Sequence, residues 1–341
     1  MIYTEWDPLQ SIVVGACGPV NLYPAIDQIF EETKEDLDNL ADYLTKLGVE
    51  VKRPNVLAYQ PVTLPGFVIN NPVAPIVPRD QYLVYGKTVY QTYTSMPDRY
   101  FDGLSFYNVF QELFDEGYNW ISQPPPLLDT LSDKSTWWND GTERYQNRND
   151  ILWHTATMYK CGDRLITNAK GPGTAKGLQW MERNLDCKIE HCKSRMGGWG
   201  HIDHGFFMVD DETIFAYSKD WVPESLRHKN IIEIGQCVVE LDKYKFAESF
   251  ASSKGKYSKE WVETWLSQWR GYAQDVCFDT NVLVVDRHNI IFSNEQPKLF
   301  KLLNLYKINC HVTPLRHGLF WEGGIHCLTL DLKRKGEKRT I

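Results

Sequence analysis

The chain has 341 residues, enough for one large domain or two of ordinary size, and its 43% hydrophobic and 24% charged residues are typical of a soluble globular protein. The formal charge of −7 argues against a nucleic acid as the general partner, since nonspecific binding to phosphates depends on clustered Lys and Arg. No apolar run approaches the roughly 18 residues of a membrane span, and the first residues do not resemble a signal peptide, so the sequence predicts a cytoplasmic protein without a membrane partner.

Four segments have the pattern of a β-hairpin, with two short β-rich runs on either side of a polar or glycine turn. They comprise residues 81–90, 157–168, 206–217 and 282–293. Stretches of helical periodicity, each followed by an apolar strand, occur before and after these hairpins. The helical stretches comprise residues 26–47, 109–114, 178–185 and 299–305. The opening strand at 11–15 has no partner nearby, and residues 327–332 at the other end of the chain could supply it.

The repeated unit is therefore strand, strand, helix, strand, and about five such units must stack to bury their apolar faces. Five units around a closed ring give an α/β propeller with fivefold pseudo-symmetry, built from ββαβ units as a single domain over residues 1–341 with a central funnel. The alternative, a two-domain parallel α/β protein, is disfavoured because the hairpins argue against an all-parallel sheet. Residues near 127–148 and 246–272 are predicted to be insertions, the second of them helical with a Trp stripe that fits core packing.

Two polar clusters lie at the entrances of predicted hairpins. Asp80 stands directly before the first hairpin, where a turn-capping aspartate is the plain alternative to a functional role. Residues 197–204 are glycine-rich and then strand-like. Period-two alternation predicts that His201 and Asp203 point to one side of this strand and His204 to the other. One side would thereby present an imidazole beside a carboxylate.

A metal site is the rival interpretation of the second cluster. The candidate ligands are His191, Cys192, His201, Asp203 and His204. They have no recognised ligand spacing, and the alternation divides them between two faces. The sequence therefore predicts no metal site and no cofactor.

Cys327 lies behind two glycines at the mouth of an apolar strand, where the backbone bends tightly and a thiol can meet a ligand. Most cysteines are small buried hydrophobes, and the eight in this chain, which show no CxxC spacing, are predicted to be free thiols. Glu322 and His326 are polar neighbours of Cys327. Alternation turns His326 away from the thiol, so His201 is the better candidate for a base.

Three motifs resemble those of the glycine amidinotransferase family, and they stand in this order along the chain: Pro78-Arg79-Asp80, Gly200-His201-Ile202-Asp203 and Gly323-Gly324-Ile325-His326-Cys327. Residues 5–9, 177–181 and 281–283 also resemble that family, so the similarity runs nearly end to end. The family is part of the guanidino-group-modifying (pentein) superfamily of fivefold α/β propellers. The resemblance thus implies the fivefold α/β propeller that the repeated units also predict.

The resemblance also implies a reaction on a guanidino group. It makes Asp80 and Asp203 the carboxylates that hold the flat, cationic guanidinium through its paired N–H donors. Cys327 would attack the poorly electrophilic central carbon and form an amidino-thioether, with release of the first amine. His201 would protonate that amine and later take a proton from the incoming one.

Two departures from the family pattern bear on activity and substrate. The family places a further catalytic Asp a few residues before the glycine of the second hairpin, where this chain has Thr157. Asp150 or His154 would reach the site only if the chain bulges. Trp221 stands where the family tends to have an Arg for the substrate carboxylate, so neither arginine as donor nor glycine as acceptor is fixed. Arg79, from the first motif, is assigned to the substrate site together with Trp221.

The leading prediction is an amidinotransferase that moves an amidino group from a guanidine donor, arginine by default, to an amine acceptor through a covalent intermediate on Cys327. One alternative is hydrolysis of that intermediate, as in deiminases and dihydrolases of the superfamily. The other is a non-catalytic guanidine-binding descendant of the fold, for which Thr157 is the reason. The predicted partners are the two small molecules, and a homodimer is left open.

Overall fold

The computed structural model describes residues 1–17, 27–57, 62–64, 67–69, 75–93, 99–126, 150–168, 173–192, 201–237, 280–321 and 323–341. Both segments predicted to be insertions, near 127–148 and 246–272, lie outside these residues. The assignment of the whole chain to a single domain stays a prediction.

The described residues contain seventeen strands, which are β1 (Leu9–Val14), β2 (Glu50–Lys52), β3 (Val62–Leu64), β4 (Phe67–Ile69), β5 (Tyr82–Tyr85), β6 (Thr88–Gln91), β7 (Asn119–Ser122), β8 (Met158–Cys161), β9 (Arg164–Asn168), β10 (Lys188–Cys192), β11 (Phe206–Met208), β12 (Thr213–Ala216), β13 (Asn230–Glu233), β14 (Leu283–Asp286), β15 (Asn289–Phe292), β16 (Asn309–Val312) and β17 (Thr329–Arg334). Their α-helices are α1 (Asp27–Lys46), α2 (Asp102–Ser105), α3 (Tyr107–Asp115), α4 (Ala175–Asn184), α5 (Pro297–Leu305) and α6 (Gly318–Trp321). None of the helices in these parts of the chain has the length and apolar content that crossing a membrane requires.

Five sheets of three strands each share one pattern. Two strands pair antiparallel, and a third strand lies parallel to one of them, as in β5-β6-β7, where the antiparallel pair is a hairpin. The other four sheets are β8-β9-β10, β11-β12-β13, β14-β15-β16 and β17-β1-β2. The last of these joins the two ends of the chain, with β17 antiparallel to β1, as the sequence predicts. The fivefold α/β propeller pattern is confirmed, and the short hairpin β3-β4 is an addition to it.

The first unit shows how the sequence produces this pattern locally. α1 buries Leu37, Leu40 and Leu44, which recur at intervals of three and four residues, in the same core as the strand β1. The helix gives way to a turn at Gly48, whose φ of +84° costs little only without a Cβ. The chain then enters β2, which pairs in parallel with β1.

The unit that contains β11 departs from the repeat. Between β12 and β13, a connection that is described throughout, the chain forms two single turns of 3-10 helix and no α-helix, at Lys219–Trp221 and Glu224–Leu226. Pro223 stands between the two turns, and a proline inside a helix removes a backbone donor and clashes with the preceding turn. The hairpin and helix patterns of the sequence did not predict β13.

Five charged side chains form a buried ion cluster, which consists of Glu5, Arg79, Lys160, Asp331 and Arg334. Each of them is at most 4% exposed. Lys160 Nζ lies 2.8 Å from a Glu5 oxygen, and Arg79 Nη2 lies 3.2 Å from an Asp331 oxygen. Arg334 Nε donates to the second Asp331 oxygen at 2.9 Å. Because a buried charge without a partner is costly, these pairs fix β8, β17 and the entrance of β5 relative to the N-terminal segment.

Candidate active site

Three hairpins are entered through a single turn of 3-10 helix, at Pro78–Asp80, Thr155–Thr157 and Ile202–His204. The first turn is in contact with the second, and the second with the third. Thr155 Oγ1, for example, donates a hydrogen bond of 2.7 Å to the backbone carbonyl of Arg79. The equivalent positions of three propeller units therefore bring their polar side chains together.

The third turn corrects the sequence analysis. The prediction of an extended chain with alternating side chains over residues 201–204 is wrong, because a 3-10 turn follows His201 and β11 begins only beyond it. His204 is therefore not turned away from His201, and the two ring centroids are 5.5 Å apart. One potential ligand atom from each of His201, Asp203, His204 and Cys327 lies within 4.8 Å of the other three. Two imidazoles, rather than one, lie beside the thiol.

Cys327 lies in a turn directly before β17, so strand alternation does not decide where His326 points. His326 Nδ1 is 2.7 Å from Asp203 Oδ2, and Cys327 Sγ is 3.8 Å from the same oxygen. Asn281 Nδ2 donates to Sγ at 3.0 Å and to Asp203 Oδ2 at 2.9 Å. A Cβ on Gly324 would lie 2.7 Å from the carbonyl oxygen of Asn281, so this approach requires glycine. The sequence did not predict the contacts of Asn281 with Cys327 and Asp203.

The surroundings of Cys327 favour its thiolate. Burial and the charge of Asp203 raise the pKa of the thiol, but hydrogen bonds from His201 and His204 outweigh them, so that the pKa of Cys327 lies below its ordinary value. Burial lowers the pKa of His201, but its hydrogen bond with Cys327 and the charge of Asp80 raise it above its ordinary value overall. Both shifts favour the thiolate of Cys327 and the imidazolium of His201 relative to the free side chains.

Three other described cysteines have pKa values shifted in the opposite direction. Burial raises the pKa of Cys161 to about 12 and those of Cys187 and Cys310 to about 11. Among the described cysteines whose pKa is shifted, Cys327 is thus the one that moves toward the nucleophilic form.

Asp80 belongs to a second group of side chains that adjoins the first. One potential ligand atom from each of Asp80, His154 and His201 lies within 4.8 Å of the other two. Asp80 also forms an ion pair with the buried guanidinium of Arg99, which in turn lies 2.9 Å from Asp102. His201 therefore stands between the Cys327 side and the Asp80 side of the site.

His154 reaches the site, whereas Thr157 holds the turn that carries it. The fully buried Thr157 donates a hydrogen bond of 2.7 Å to the backbone carbonyl of His154, and its hydroxyl lies 3.4 Å from that of Thr167. The backbone carbonyl of Asp150 accepts from Thr174, the N-cap of α4. Of the two substitutes considered for the missing Asp, His154 is the one that joins the described groups.

The remaining residues assigned to the substrate have other described neighbours. Arg79 is part of the buried ion cluster, and its Nε donates to the backbone carbonyl of His326 at 2.9 Å. The ring of Trp221 stacks on Tyr217 with centroids 4.7 Å apart. Contact of Arg79 or Trp221 with a substrate stays a prediction, and Glu322 lies outside the described residues.

Comparison with known proteins gives no match to a protein-family model. An inosamine-phosphate amidinotransferase from Streptomyces griseus is 24% identical over 98% of this chain and 96% of its own length. A mitochondrial glycine amidinotransferase from Gallus gallus is 21% identical over 98% of this chain and 82% of its own length.

Solved structures show the same fold. An inosamine-phosphate amidinotransferase from Streptomyces griseus superposes with a TM-score of 0.75 and 22% identity over 99% of this chain and 98% of that chain. A dimethylarginine dimethylaminohydrolase superposes with a TM-score of 0.56 and 11% identity over 95% of this chain and all of that chain. The comparisons confirm the resemblance to amidinotransferases, and the solved structures confirm the fold that this resemblance implies.

Proposed function

We propose that this chain, which is similar over its whole length to amidinotransferases, transfers an amidino group from a guanidine donor, arginine by default, to an amine acceptor. The observation that carries the proposal is the convergence of Cys327, His201, Asp203 and His204 within 4.8 Å. It joins a nucleophile, a proton carrier and an acidic group for a cation, which are the three functions that the reaction needs.

Two carboxylates are available to the guanidinium of the donor. Burial raises the pKa of Asp203, but a hydrogen bond from His326 and the neighbouring imidazoles lower it well below its ordinary value, so Asp203 stays ionised. Asp80, on the other side of His201, forms an ion pair with Arg99. A guanidinium between Asp80 and Asp203 would pair its N–H donors with both carboxylates.

The first half of the reaction forms the covalent intermediate. The Cys327 thiolate attacks the guanidino carbon, a C–S bond forms, and the C–N bond to the donor amine breaks. His201 gives its proton to the departing amine, which leaves neutral His201 beside an amidino-thioether. General acid catalysis of this kind typically contributes roughly 10²–10⁴-fold.

The second half of the reaction reverses these proton movements. The acceptor amine attacks the same carbon, His201 takes a proton from its nitrogen, and the C–S bond breaks to return the thiolate. Since the first product leaves before the acceptor reacts, the kinetics follow a ping-pong pattern. Water in place of the amine would release the amidino group as urea. Formation of citrulline would instead require that a terminal C–N bond of the guanidine breaks first, with loss of ammonia.

We assign positioning roles to three residues around the nucleophile. Asn281 orients the sulfur and Asp203 together, through donors 3.0 Å and 2.9 Å away. Arg79 holds the backbone carbonyl of His326 and thereby the turn of the nucleophile. The ring of His154 lies beside that of His201, with centroids 6.1 Å apart, and we assign His154 to the orientation of His201.

The pH dependence of kcat/KM is expected to be bell-shaped in buffer that contains a metal chelator. Activity rises with pH as the Cys327 thiol ionises, at a pKa below its ordinary value, and falls as His201 loses its proton, at a pKa above its ordinary value. His204→Gln weakens a hydrogen bond that favours the thiolate, so its acid limb should move to higher pH by roughly one unit. Alkylation rates of Cys327 measured against pH provide the independent check, and an acid limb that does not move in His204→Gln contradicts the role of His204.

Product analysis distinguishes the proposed transferase from its alternatives. With arginine alone the protein should release no citrulline, whereas ornithine should accumulate when an acceptor amine is added. Glycine and inosamine phosphate, which the names of the similar proteins contain, are the first acceptors to test. Urea, or citrulline with ammonia, formed without an acceptor would identify a hydrolase. Absence of any product from a panel of guanidines would favour the binding protein.

A further inference from the structure

The side chains around Cys327 have the composition of a transition-metal site. They offer one thiolate, two imidazoles and one carboxylate, from Cys327, His201, His204 and Asp203. The sequence argued against a metal at residues 191–204 because they have no recognised ligand spacing and because alternation would divide His201 and Asp203 from His204. The 3-10 turn at Ile202–His204 removes the objection from alternation, since His204 lies with His201 and Asp203 near Cys327.

The spacing of the four side chains is close to that of a tetrahedral site. Bonds of 2.0–2.3 Å to zinc place neighbouring ligand atoms roughly 3.3–3.8 Å apart. His204 Nε2 lies 3.8 Å from Asp203 Oδ1, at the upper end of this range. The remaining separations are at most 4.8 Å, so small rotations of the imidazole rings would complete the site.

A second observation concerns the carboxylate itself. Asp203 is 3% exposed, and its Oδ1 has no hydrogen bond with any residue that the structure describes. Its Oδ2, in contrast, is held by Asn281 and His326. Ligating carboxylates commonly have one oxygen oriented by such outer donors, while the other meets the ion. A buried carboxylate oxygen without a hydrogen bond among the described residues is available to a cation, either the donor guanidinium or a metal ion.

We propose that Cys327, His201, His204 and Asp203 bind one divalent transition-metal ion of the zinc type. Thiolate and imidazole ligands favour Zn²⁺ or Co²⁺ over Mg²⁺ and Ca²⁺, which prefer oxygen. The ion takes the lone pair of the thiolate and the proton-carrying nitrogen of His201, so the metal-bound protein cannot attack a guanidine. Metal binding and amidino transfer are thereby mutually exclusive.

The adjoining group of side chains around Asp80 is the weaker candidate for a metal site. Asp80, His154 and His201 supply three ligands without a thiolate. Asp80 is in addition paired with Arg99. Since His201 is common to both groups, the proposal predicts one ion per chain, and His154 provides a matched control for His204.

Cobalt titration of the full-length protein, after removal of metal with a chelator, tests the site directly. We expect one Co²⁺ per chain, with a thiolate-to-cobalt charge-transfer band and the visible bands of tetrahedral cobalt, and displacement by one equivalent of Zn²⁺. Cys327→Ser should lose the charge-transfer band. His204→Gln should bind at least about 100-fold more weakly, since loss of even an outer-shell partner costs roughly 10–100-fold.

Two control variants test whether the ion binds beside Cys327 rather than elsewhere. His154→Ala should keep both the band and the affinity of the unmodified protein, and so should His191→Ala, whose exposed ring lies near Glu182. Far-UV circular dichroism confirms that each variant is folded. Substoichiometric binding, a spectrum without the sulfur band, or a loss in His154→Ala equal to that in His204→Gln overturns the proposal.

The inhibitory effect rests on the proposed function, whereas the cobalt spectrum does not. Zn²⁺ should inhibit competitively with the guanidine donor, and a chelator should restore the activity in full. A protein that gives the cobalt band but shows no turnover when metal-free would refute the transferase and leave the metal site standing. Turnover that persists with one bound Zn²⁺ per chain would refute mutual exclusion.

Discussion

Replacement of Cys327 by alanine is expected to lower kcat/KM for amidino transfer by roughly 10⁴-fold or more, as deletion of a nucleophile does in other covalent enzymes. The reason is specific to this thiol. Its pKa is lowered by His201 and His204, and Asn281 fixes its sulfur at 3.0 Å. Without the sulfur, the guanidino carbon meets no group in the described site that can form the intermediate. Initial rates of ornithine formation at saturating acceptor give the measurement.

Cys161→Ala is the matched control for this experiment. Cys161 is also fully buried, but its pKa is raised to about 12, and it packs in the core of the sheets around β8 and β11. We expect the control to lose some stability and to keep its turnover. A Cys327→Ala protein with a tenth of the original rate would contradict the assignment of the nucleophile, whatever the control shows.

Replacement of Arg79 by methionine is expected to lower the free energy of unfolding by about 3–5 kcal/mol, the usual cost of removing one partner from a buried ion pair. Arg79 is 4% exposed, and its removal leaves Glu5 and Asp331 with less positive charge in the interior. It also removes the hydrogen bond to the backbone carbonyl of His326. Urea denaturation, followed by fluorescence, measures the change.

The effect of Arg79→Met on activity separates the two roles considered for this residue. A positioning residue lowers stability and kcat together, because the turn that carries Cys327 loses its anchor. A substrate-binding residue would raise KM and leave the urea midpoint unchanged, and that result would contradict the positioning role. Lys34→Ala, which breaks an exposed pair with Asp38, is the control and should cost less than about 1 kcal/mol.

Much of the fold could be predicted because the sequence patterns that determine most of the units are local to each unit. Hairpin turns, the apolar stripe of α1 and the glycine that follows it are encoded within about twenty residues of one another. β13 escaped prediction because a connection interrupted by Pro223 replaces the expected helix. The sequence alone offers no helical periodicity there from which a following strand could be inferred.

The site could be predicted only in part, because its details depend on backbone conformation and on distant pairs. The motifs located Cys327, His201 and Asp203, but alternation assigned His204 to the wrong face where the chain forms a 3-10 turn. Asn281 reaches Cys327 across 46 residues of sequence. No spacing rule connects such residues, and only the convergence of the hairpin entrances brings them together.

The partners of Arg79 illustrate the same limit. They lie 74 and 252 residues away in the sequence, at Glu5 and Asp331. An Arg beside Asp80 in a motif is naturally assigned to a substrate, whereas its described contacts are with the interior of the protein. Had the matching acidic residues been local, their spacing on one element would have shown the pair.

Intact-mass spectrometry of the protein, incubated with arginine without an acceptor and quenched in acid, tests the covalent intermediate most directly. We predict a gain in mass of one amidino group, mapped by proteolysis to Cys327 and absent from Cys327→Ala. An unmodified Cys327 after incubation with arginine and with a panel of other guanidines would contradict the account.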